Sequence, residues 1–166
     1  RSWNNSVSTI FAALSNLAWV VRDRLSLDTC RILGRLMEEL PDNGARTPRA
    51  DEALALLNQI ITDLAAFSGL ATENMTRGHG WRFLDIGRRV ERALNTFELL
   101  RSSLVIPIEP ESAVLQAALE ISDSAMTFRS RYGGNMQTHA VLDLLITDET
   151  NPRAVAFQSA RLVRHI

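Results

Sequence analysis

Apolar residues recur at steps of three and four along almost the whole chain, and this spacing leaves room for little besides helices. Ile10, Leu14, Leu17, Val21 and Leu25 fall on one face of a first amphipathic helix, which Asn5 or Ser6 can cap. Ser26 is placed to cap a second helix, with Asp28 at the positive end of its dipole. Its apolar stripe reads Leu27, Cys30, Ile32, Leu33, Leu36, Met37 and Leu40. Pro41-Asp42-Asn43-Gly44 ends it by turn chemistry, and 45–49 reads as a polar loop. No period-two alternation persists for more than a few residues.

The same spacing predicts a third helix over 50–75, with Leu54, Leu57, Ile61, Leu64, Ala65 and Phe67 or Ser68 as its buried face. Gly78-His79-Gly80 breaks it. A fourth helix follows over 81–103, with Phe83, Ile86, Gly87, Val90, Ala93, Leu94 and Phe97 on one face. Ile106-Pro107-Ile108-Glu109-Pro110 cannot be helix interior and reads as a connector. A fifth helix spans 111–132 and stops at Gly133-Gly134; a short one spans 138–146. Asn151-Pro152 opens the last, with Asn as cap and Pro at the first helical position. Short connections favour an all-α, antiparallel multi-helix bundle of about six to seven helices. The stretch 1–166 reads as a single domain, long enough to bury a core without staples. It begins at Arg1 rather than Met and stops inside a helical run, so the expectation is a piece of a longer polypeptide.

Composition excludes several function classes. The 18 basic and 19 acidic residues nearly cancel, which argues against nucleic-acid binding through bulk charge. Every basic residue is arginine; codon bias in a GC-rich genome accounts for that, and it removes lysine chemistry such as Schiff bases and P-loops. The single cysteine, Cys30, excludes an internal disulfide framework and any multi-cysteine metal site, and its apolar stripe makes it a core thiol. No apolar run approaches the roughly 18 residues of a membrane span. No signal-peptide pattern is present, so the expected setting is cytoplasmic. His79, His139 and His165 lack metal-ligand spacing, and no Gly-x-Ser-x-Gly elbow or three-glycine dinucleotide loop occurs. No cofactor or metal is expected.

The polar residues concentrate in Glu73 to Arg92. Glu73 and Arg77 stand four apart and can pair on one helix face. Trp81, Asp85, Arg88 and Arg92 lie roughly opposite the apolar stripe of the fourth helix, with Glu91 and Glu98 on its shoulder. Two accounts compete. One is a solvated face with ion pairs contributing a few tenths of a kcal/mol each. The other is a convergence of arginines and carboxylates, Arg129 included, that grips a carboxylate or phosphate through bidentate forks, with Glu91 or Asp85 as base. Gly87 predicts a close helix approach near Glu91. Arg129, Arg131 and Tyr132 end the fifth helix, where cations complement the dipole. Asp143, Asp148, Glu149, Asn151 and Arg153 form a third cluster, whose simplest role is capping.

Four stretches, taken in order, resemble one bacterial family. They are Val21-Arg22-Asp23-Arg24-Leu25-Ser26; Arg77-Gly78-His79-Gly80-Trp81-Arg82-Phe83-Leu84-Asp85-Ile86-Gly87-Arg88-Arg89-Val90-Glu91-Arg92-Ala93; Met126-Thr127-Phe128-Arg129-Ser130-Arg131-Tyr132; and Val141-Leu142-Asp143-Leu144-Leu145 with Asp148-Glu149-Thr150-Asn151-Pro152-Arg153-Ala154-Val155-Ala156-Phe157-Gln158. The chain thereby resembles the alpha-E family of all-helical domains, with Arg88, Glu91 and Arg92 matching its second Glu-Arg motif. The resemblance implies additional helices on either side of the region here. It also implies association with ATP-grasp proteins of the peptide- or amide-ligase type and with transglutaminase-like proteins, while the charge balance and the apolar run lengths give no expectation of nucleic acid or membrane as partners. Three readings follow: an accessory domain that docks on such a ligase or presents its substrate; a ligand-binding or catalytic domain using the Arg/Glu/Asp cluster; and a purely structural module. Exposed apolar helix faces would also allow self-association.

Overall fold

The computed structural model describes residues 7–38, 49–105 and 109–165. Asn5, Ser6, Leu40, the turn at 41–44, the loop at 45–48 and residues 106–108 lie outside it. Among the described residues there are eight α-helices and no strand. They are α1 (Val7–Val20), α2 (Leu27–Glu38), α3 (Ala50–Asn74), α4 (His79–Leu104), α5 (Glu111–Ile121), α6 (Ala125–Tyr132), α7 (Thr138–Leu142) and α8 (Val155–Val163). The all-α expectation holds. The chain divides into two compact units, Arg1–Trp81 and Arg82–Ile166, so that α4 has its first turn in one and its body in the other.

In the N-terminal unit α2 packs against both α1 and α3. The first helix stops at Val20 rather than continuing to Leu25, because a 3₁₀ turn over Arg22–Arg24 intervenes. Arg22 anchors that turn: its Nη1 donates to the Trp19 carbonyl at 2.9 Å and its guanidinium lies 4.3 Å from the Trp19 ring centroid. Ser26 caps α2 as its sequence predicts, its Oγ accepting from the Thr29 amide at 3.2 Å. The core is Phe11, Ile32, Leu33, Leu36 and Ile60. Leu27 is 77% exposed and Cys30 half-buried, so the α2 stripe is narrower than its sequence pattern and the thiol stands at the core's edge.

The α3 register corrects the sequence expectation. Ile60, Asp63 and Ala71 are buried, whereas Leu54, Leu57, Ile61 and Leu64 are exposed; of the expected face Phe67 does pack against the core. This helix carries two apolar faces, and spacing alone does not say which one α2 covers. Asp63 decides. It is 2% exposed and accepts from Arg35 Nη2 at 2.5 Å and from Gln59 Nε2 at 3.2 Å, tying α3 to α2. By length and composition α3 is apolar enough to cross a membrane, the one such helix among the described residues. One of its faces meets this core.

The C-terminal unit is built on Leu100, Leu115, Leu119, Phe128, Ala140, Val141, Leu144 and Leu145. The single helix expected over 111–132 is two helices. Asp123 adopts φ +51°, the Ser124 amide bonds back to the Leu119 carbonyl at 2.8 Å, and the Asp123 amide bonds to Glu120 at 3.0 Å. That pattern is a Schellman ending, with aspartate tolerating the left-handed position glycine usually fills. After α6, Gly133 takes φ +67° and stops the helix as its sequence predicts. The chain then runs through α7 into a π-helical turn over Asp143–Thr147. Pro152 does not open α8, which begins at Val155.

Candidate functional site

The break between α3 and α4 lies at 75–78, so His79, Gly80 and Trp81 form the first turn of α4 rather than the interruption. Arg77 falls beyond the end of α3 and so does not pair with Glu73 as expected. Its Nη2 donates to the Thr72 carbonyl, and its guanidinium stacks 4.4 Å from the Trp81 centroid. This turn forms one wall of an open cavity of about 390 Å³ in the N-terminal unit, completed by Arg24, Ser26, Thr29 and Asn74.

From Arg82 onward α4 is turned inside out relative to its hydrophobic pattern. Phe83, Val90, Leu94 and Phe97 are exposed, while Asp85 and Thr96 are buried and Arg88, Arg89 and Arg92 are half-buried. Most of the face that the spacing assigns to the core is therefore outward, with Ile86 and Ala93 half-buried at its margin. A Cβ added at Gly87 would meet no atom, so the close helix approach expected there is absent among the described residues.

The inward face is organised by Asp85. Arg89, one turn on, donates its Nη2 to Asp85 Oδ1 at 3.1 Å, and His165 Nε2 lies 2.7 Å from Asp85 Oδ2. Arg89 Nη1 also donates to Gln158 Oε1 at 3.2 Å, and its guanidinium lies 5.6 Å from the Phe157 ring centroid. Burial works to raise the Asp85 pKa, but the His165 and Arg89 hydrogen bonds and the Arg89 charge outweigh it and hold the carboxyl below its ordinary value. Thr96 Oγ1 donates to the Arg153 carbonyl at 3.2 Å, bringing the turn before α8 beside α4. The Arg153 side chain reaches Asp123 Oδ2 at 2.8 Å. The Arg92 pKa is lowered by burial and by the charges of Arg153, Arg88 and Arg89, with Asp85 opposing.

A second network lies at the π-helical turn. Arg131 donates to Asp148 and, at 2.7 Å, to Thr150 Oγ1. Tyr132 OH donates to Asp143 Oδ2 at 2.5 Å, a bond that raises the phenol pKa. Asn151 is buried, donating to the Leu144 carbonyl at 3.1 Å and to Ser124 Oγ at 3.2 Å, and its Oδ1 accepts from the Arg153 amide at 3.1 Å. Asn151 thus caps a turn three residues ahead of α8 rather than the helix itself. These bonds hold α6, the π turn and the α8 approach together.

Of the residues singled out in the sequence, Asp85, Arg88, Arg92 and Arg153 belong to the α4 cluster, and Arg131, Tyr132, Asp148 and Asn151 to the second network. Glu91 and Arg129 join neither. Glu91 is exposed and accepts only a long 3.5 Å bond from Asn95, and Arg129 is exposed at the surface of α6. The pattern missed Arg89, Thr96, Gln158 and His165. The Asp85–Arg89 spacing of four could have revealed Arg89; nothing local marks Gln158 or His165, which arrive from 69 and 80 residues away. Among the described residues no group of three or more His, Cys, Asp or Glu side chains could hold a metal ion.

A family model described as a predicted alpha-helical domain with a conserved ER motif matches residues 1–166. Glu91-Arg92 is the one Glu-Arg dipeptide in the chain. Uncharacterised proteins of Mycobacterium tuberculosis and Mycobacterium bovis are 34% identical over 155 residues, which is 90% of this chain and 18% of theirs. The chain thus spans 18% of the length of these curated relatives. No solved structure matches it.

Proposed function

This chain belongs to the Alpha-E family, and on that premise we propose that it is an accessory interaction module. In this reading it docks on an ATP-grasp peptide or amide ligase, or presents that ligase's substrate, in a bacterial cytoplasmic system. The inverted α4 carries the reading. Phe83 is 74% exposed and Phe97 50%, with Val90 and Leu94 between them on the outer face. A row of aromatic and aliphatic side chains at helical spacing is the usual form of a helix that seats in a partner's groove. The ligase as partner follows from what resemblance to the family implies, and a transglutaminase-like protein is the other partner of that kind.

Calorimetric titration of this chain with the ATP-grasp ligase tests the reading. Saturable binding is expected, weakened at least about tenfold by Phe83→Ser with Phe97→Ser, since anchors of this kind contribute more than about 1.4 kcal/mol together. Undiminished binding by the double variant would move the interface off α4. No binding by this chain, or by the longer polypeptide that carries it, would overturn the partnership. Sedimentation of the chain alone measures whether the same face self-associates.

A further inference from the structure

The cavity of about 390 Å³ in the N-terminal unit takes no part in the docking reading. Ligand clefts begin at about 300 Å³, so it has room for a small molecule. Two stretches distant in sequence build it, 24–29 and 70–81. Two of the runs that carry the family resemblance, 21–26 and 77–93, therefore meet here. The lining divides by chemistry. Leu25, Leu70 and Met75 are apolar, and Trp81 is half-buried in the wall. Arg77, which is outside the lining, holds the Trp81 ring by stacking on it, and is itself tied to the Thr72 carbonyl. Ser26 Oγ accepts from the Thr29 amide and shares a 2.9 Å hydrogen bond with Thr29 Oγ1, which fixes both hydroxyls. The side chains of Asn74, Thr76 and His79 also line the cavity and bond to nothing among the described residues. Arg24 is the one arginine in the lining, and no described Asp or Glu belongs to it. Asp23 holds Arg24 through Nε at 3.1 Å, from outside the lining, and leaves both Nη nitrogens without an acceptor among the described residues.

A lining with a guanidinium and no carboxylate favours an anion over a cation. The free Nη pair of Arg24 makes a single fork, which the two oxygens of one carboxylate use up. A phosphoryl group, with three acceptor oxygens and a charge of about −1.5 to −2 at pH 7, calls for more than one such fork. The wall made by Trp81, Leu25, Leu70 and Met75 suits an aromatic body, because paired rings gain beyond the area they bury. We propose that this cavity binds a small aromatic carboxylate, with Arg24 gripping the carboxylate and Trp81 packing against the ring. Asn74 and Thr76 remain to bond a polar substituent.

The test needs only this chain and phenylacetate, so it stands apart from ligase docking on the outer face of α4. Binding is followed by calorimetry and by backbone amide chemical shifts at constant ionic strength. Saturable binding is expected, with the shifts concentrated at 24–29 and 74–81. Phenylacetamide keeps the ring and loses the charge, and acetate keeps the charge and loses the ring; each should bind at least about tenfold more weakly. Phenethylammonium should not bind, and phenyl phosphate should bind more weakly than phenylacetate. Arg24→Gln should weaken phenylacetate at least about tenfold without lowering Tm, because the side chain it replaces is 78% exposed. Arg24→Lys, which keeps the charge and loses the fork, should fall between. Arg31→Gln removes the same charge from a surface pair with Asp28 outside the cavity and should leave binding intact. Gly80 is in the lining and a Cβ there would meet no atom, so Gly80→Leu should fold and block the cavity. No saturable binding, shifts confined to the C-terminal unit, or full affinity in Arg24→Gln or Gly80→Leu would overturn the site. Phenylacetamide or acetate matching phenylacetate, or phenyl phosphate binding more tightly, would overturn the ligand class. A tripeptide ending in phenylalanine, run in parallel, separates a free acid from a peptide terminus, and binding of the tripeptide alone would overturn the small-acid assignment.

Discussion

The two units use charge in opposite ways. In the N-terminal unit a small apolar core of Phe11, Ile32, Leu33, Leu36 and Ile60 is crossed, among the described residues, by the pair Asp63 with Arg35, which ties α3 to α2. In the C-terminal unit the apolar core joins Leu100 of α4 to α5, α6, α7 and the π turn, and the inward face of α4 adds a layer of arginines and Asp85, with His165 beside it. One ion pair selecting between two apolar faces is a device for specificity. The α4 layer instead carries more guanidinium than carboxylate, with Arg88, Arg89 and Arg92 around Asp85. The difference teaches that a charged residue on an amphipathic helix cannot be assigned to solvent from its position opposite the apolar stripe.

The largest expected effect separates the units by stability. Phe128 is 1% exposed at the centre of the C-terminal core. Phe128→Ala should cost about 3–5 kcal/mol through lost transfer energy and a residual cavity. Amide exchange would then show α5 to α8 opening while α1 to α3 keep their protection. Loss of protection in both units together would erase the distinction between them. Next in size is the register device. Arg35 is 57% exposed and Asp63 2%, so the partners are unequal. Removing the arginine strands a buried carboxylate with Gln59 as its remaining donor, whereas removing the aspartate frees Arg35 to turn to water. Arg35→Met should therefore destabilise by about 1–3 kcal/mol, and Asp63→Leu by less. Denaturant midpoints for the pair of variants give the ordering, and a larger loss from Asp63→Leu would mean the pair does not set the register.

How much of this was legible in the sequence differs by level. Helix type was legible throughout, as were the Ser26 cap and the Gly133 stop, because spacing and caps are local signals. The split at Asp123 was not, since aspartate in a left-handed position reads like any polar residue within a helix. The buried faces of α3 and α4 were misassigned for one shared reason. Leu54, Leu57, Ile61 and Leu64, like Phe83, Val90, Leu94 and Phe97, make regular stripes, and periodicity cannot tell a stripe that meets this unit's core from one left outside it. The Asp85, Arg88 and Arg92 grouping was visible as a face, while Gln158 and His165 were not, because only tertiary structure brings them there.

Acid sharpens the contrast between the layers. Asp85 titrates below its ordinary value of 3.8 when folded. Its contribution to stability is therefore complete above the unfolded pKa and is lost as pH falls through the lower folded one. The C-terminal unit should weaken as pH drops below about 4, and Asp85→Asn should flatten that part of the profile, leaving the components from Asp143 and Asp148, whose pKa values are also lowered. Tyr132 gives the alkaline counterpart. Its folded pKa lies above 10.0, so its contribution is complete below that pH and is lost as pH rises through the folded value. Tyr132→Phe should remove the alkaline slope. Unfolding followed by circular dichroism from pH 2 to 11 would check both, and an unchanged acid limb in Asp85→Asn would show that the α4 layer contributes nothing at low pH.

The smallest expected effect concerns the turn that makes two helices of α5 and α6. Asp123 holds φ +51°, where a Cβ is disfavoured and aspartate is among the few residues that are tolerated. Alanine visits this region less readily than aspartate, so Asp123→Ala should destabilise by about 1 kcal/mol. Glycine has no Cβ to clash but gains freedom in the unfolded chain, and Asp123→Gly should stay within about 0.5 kcal/mol of wild type. Both variants lose the Arg153 contact, which is exposed on the Asp123 side, so the difference between them isolates the backbone. Equal stabilities for the two would mean that the turn tolerates a right-handed residue. The interruption between α5 and α6 would then rest on the packing of Phe128 and Leu119 rather than on the conformation of Asp123.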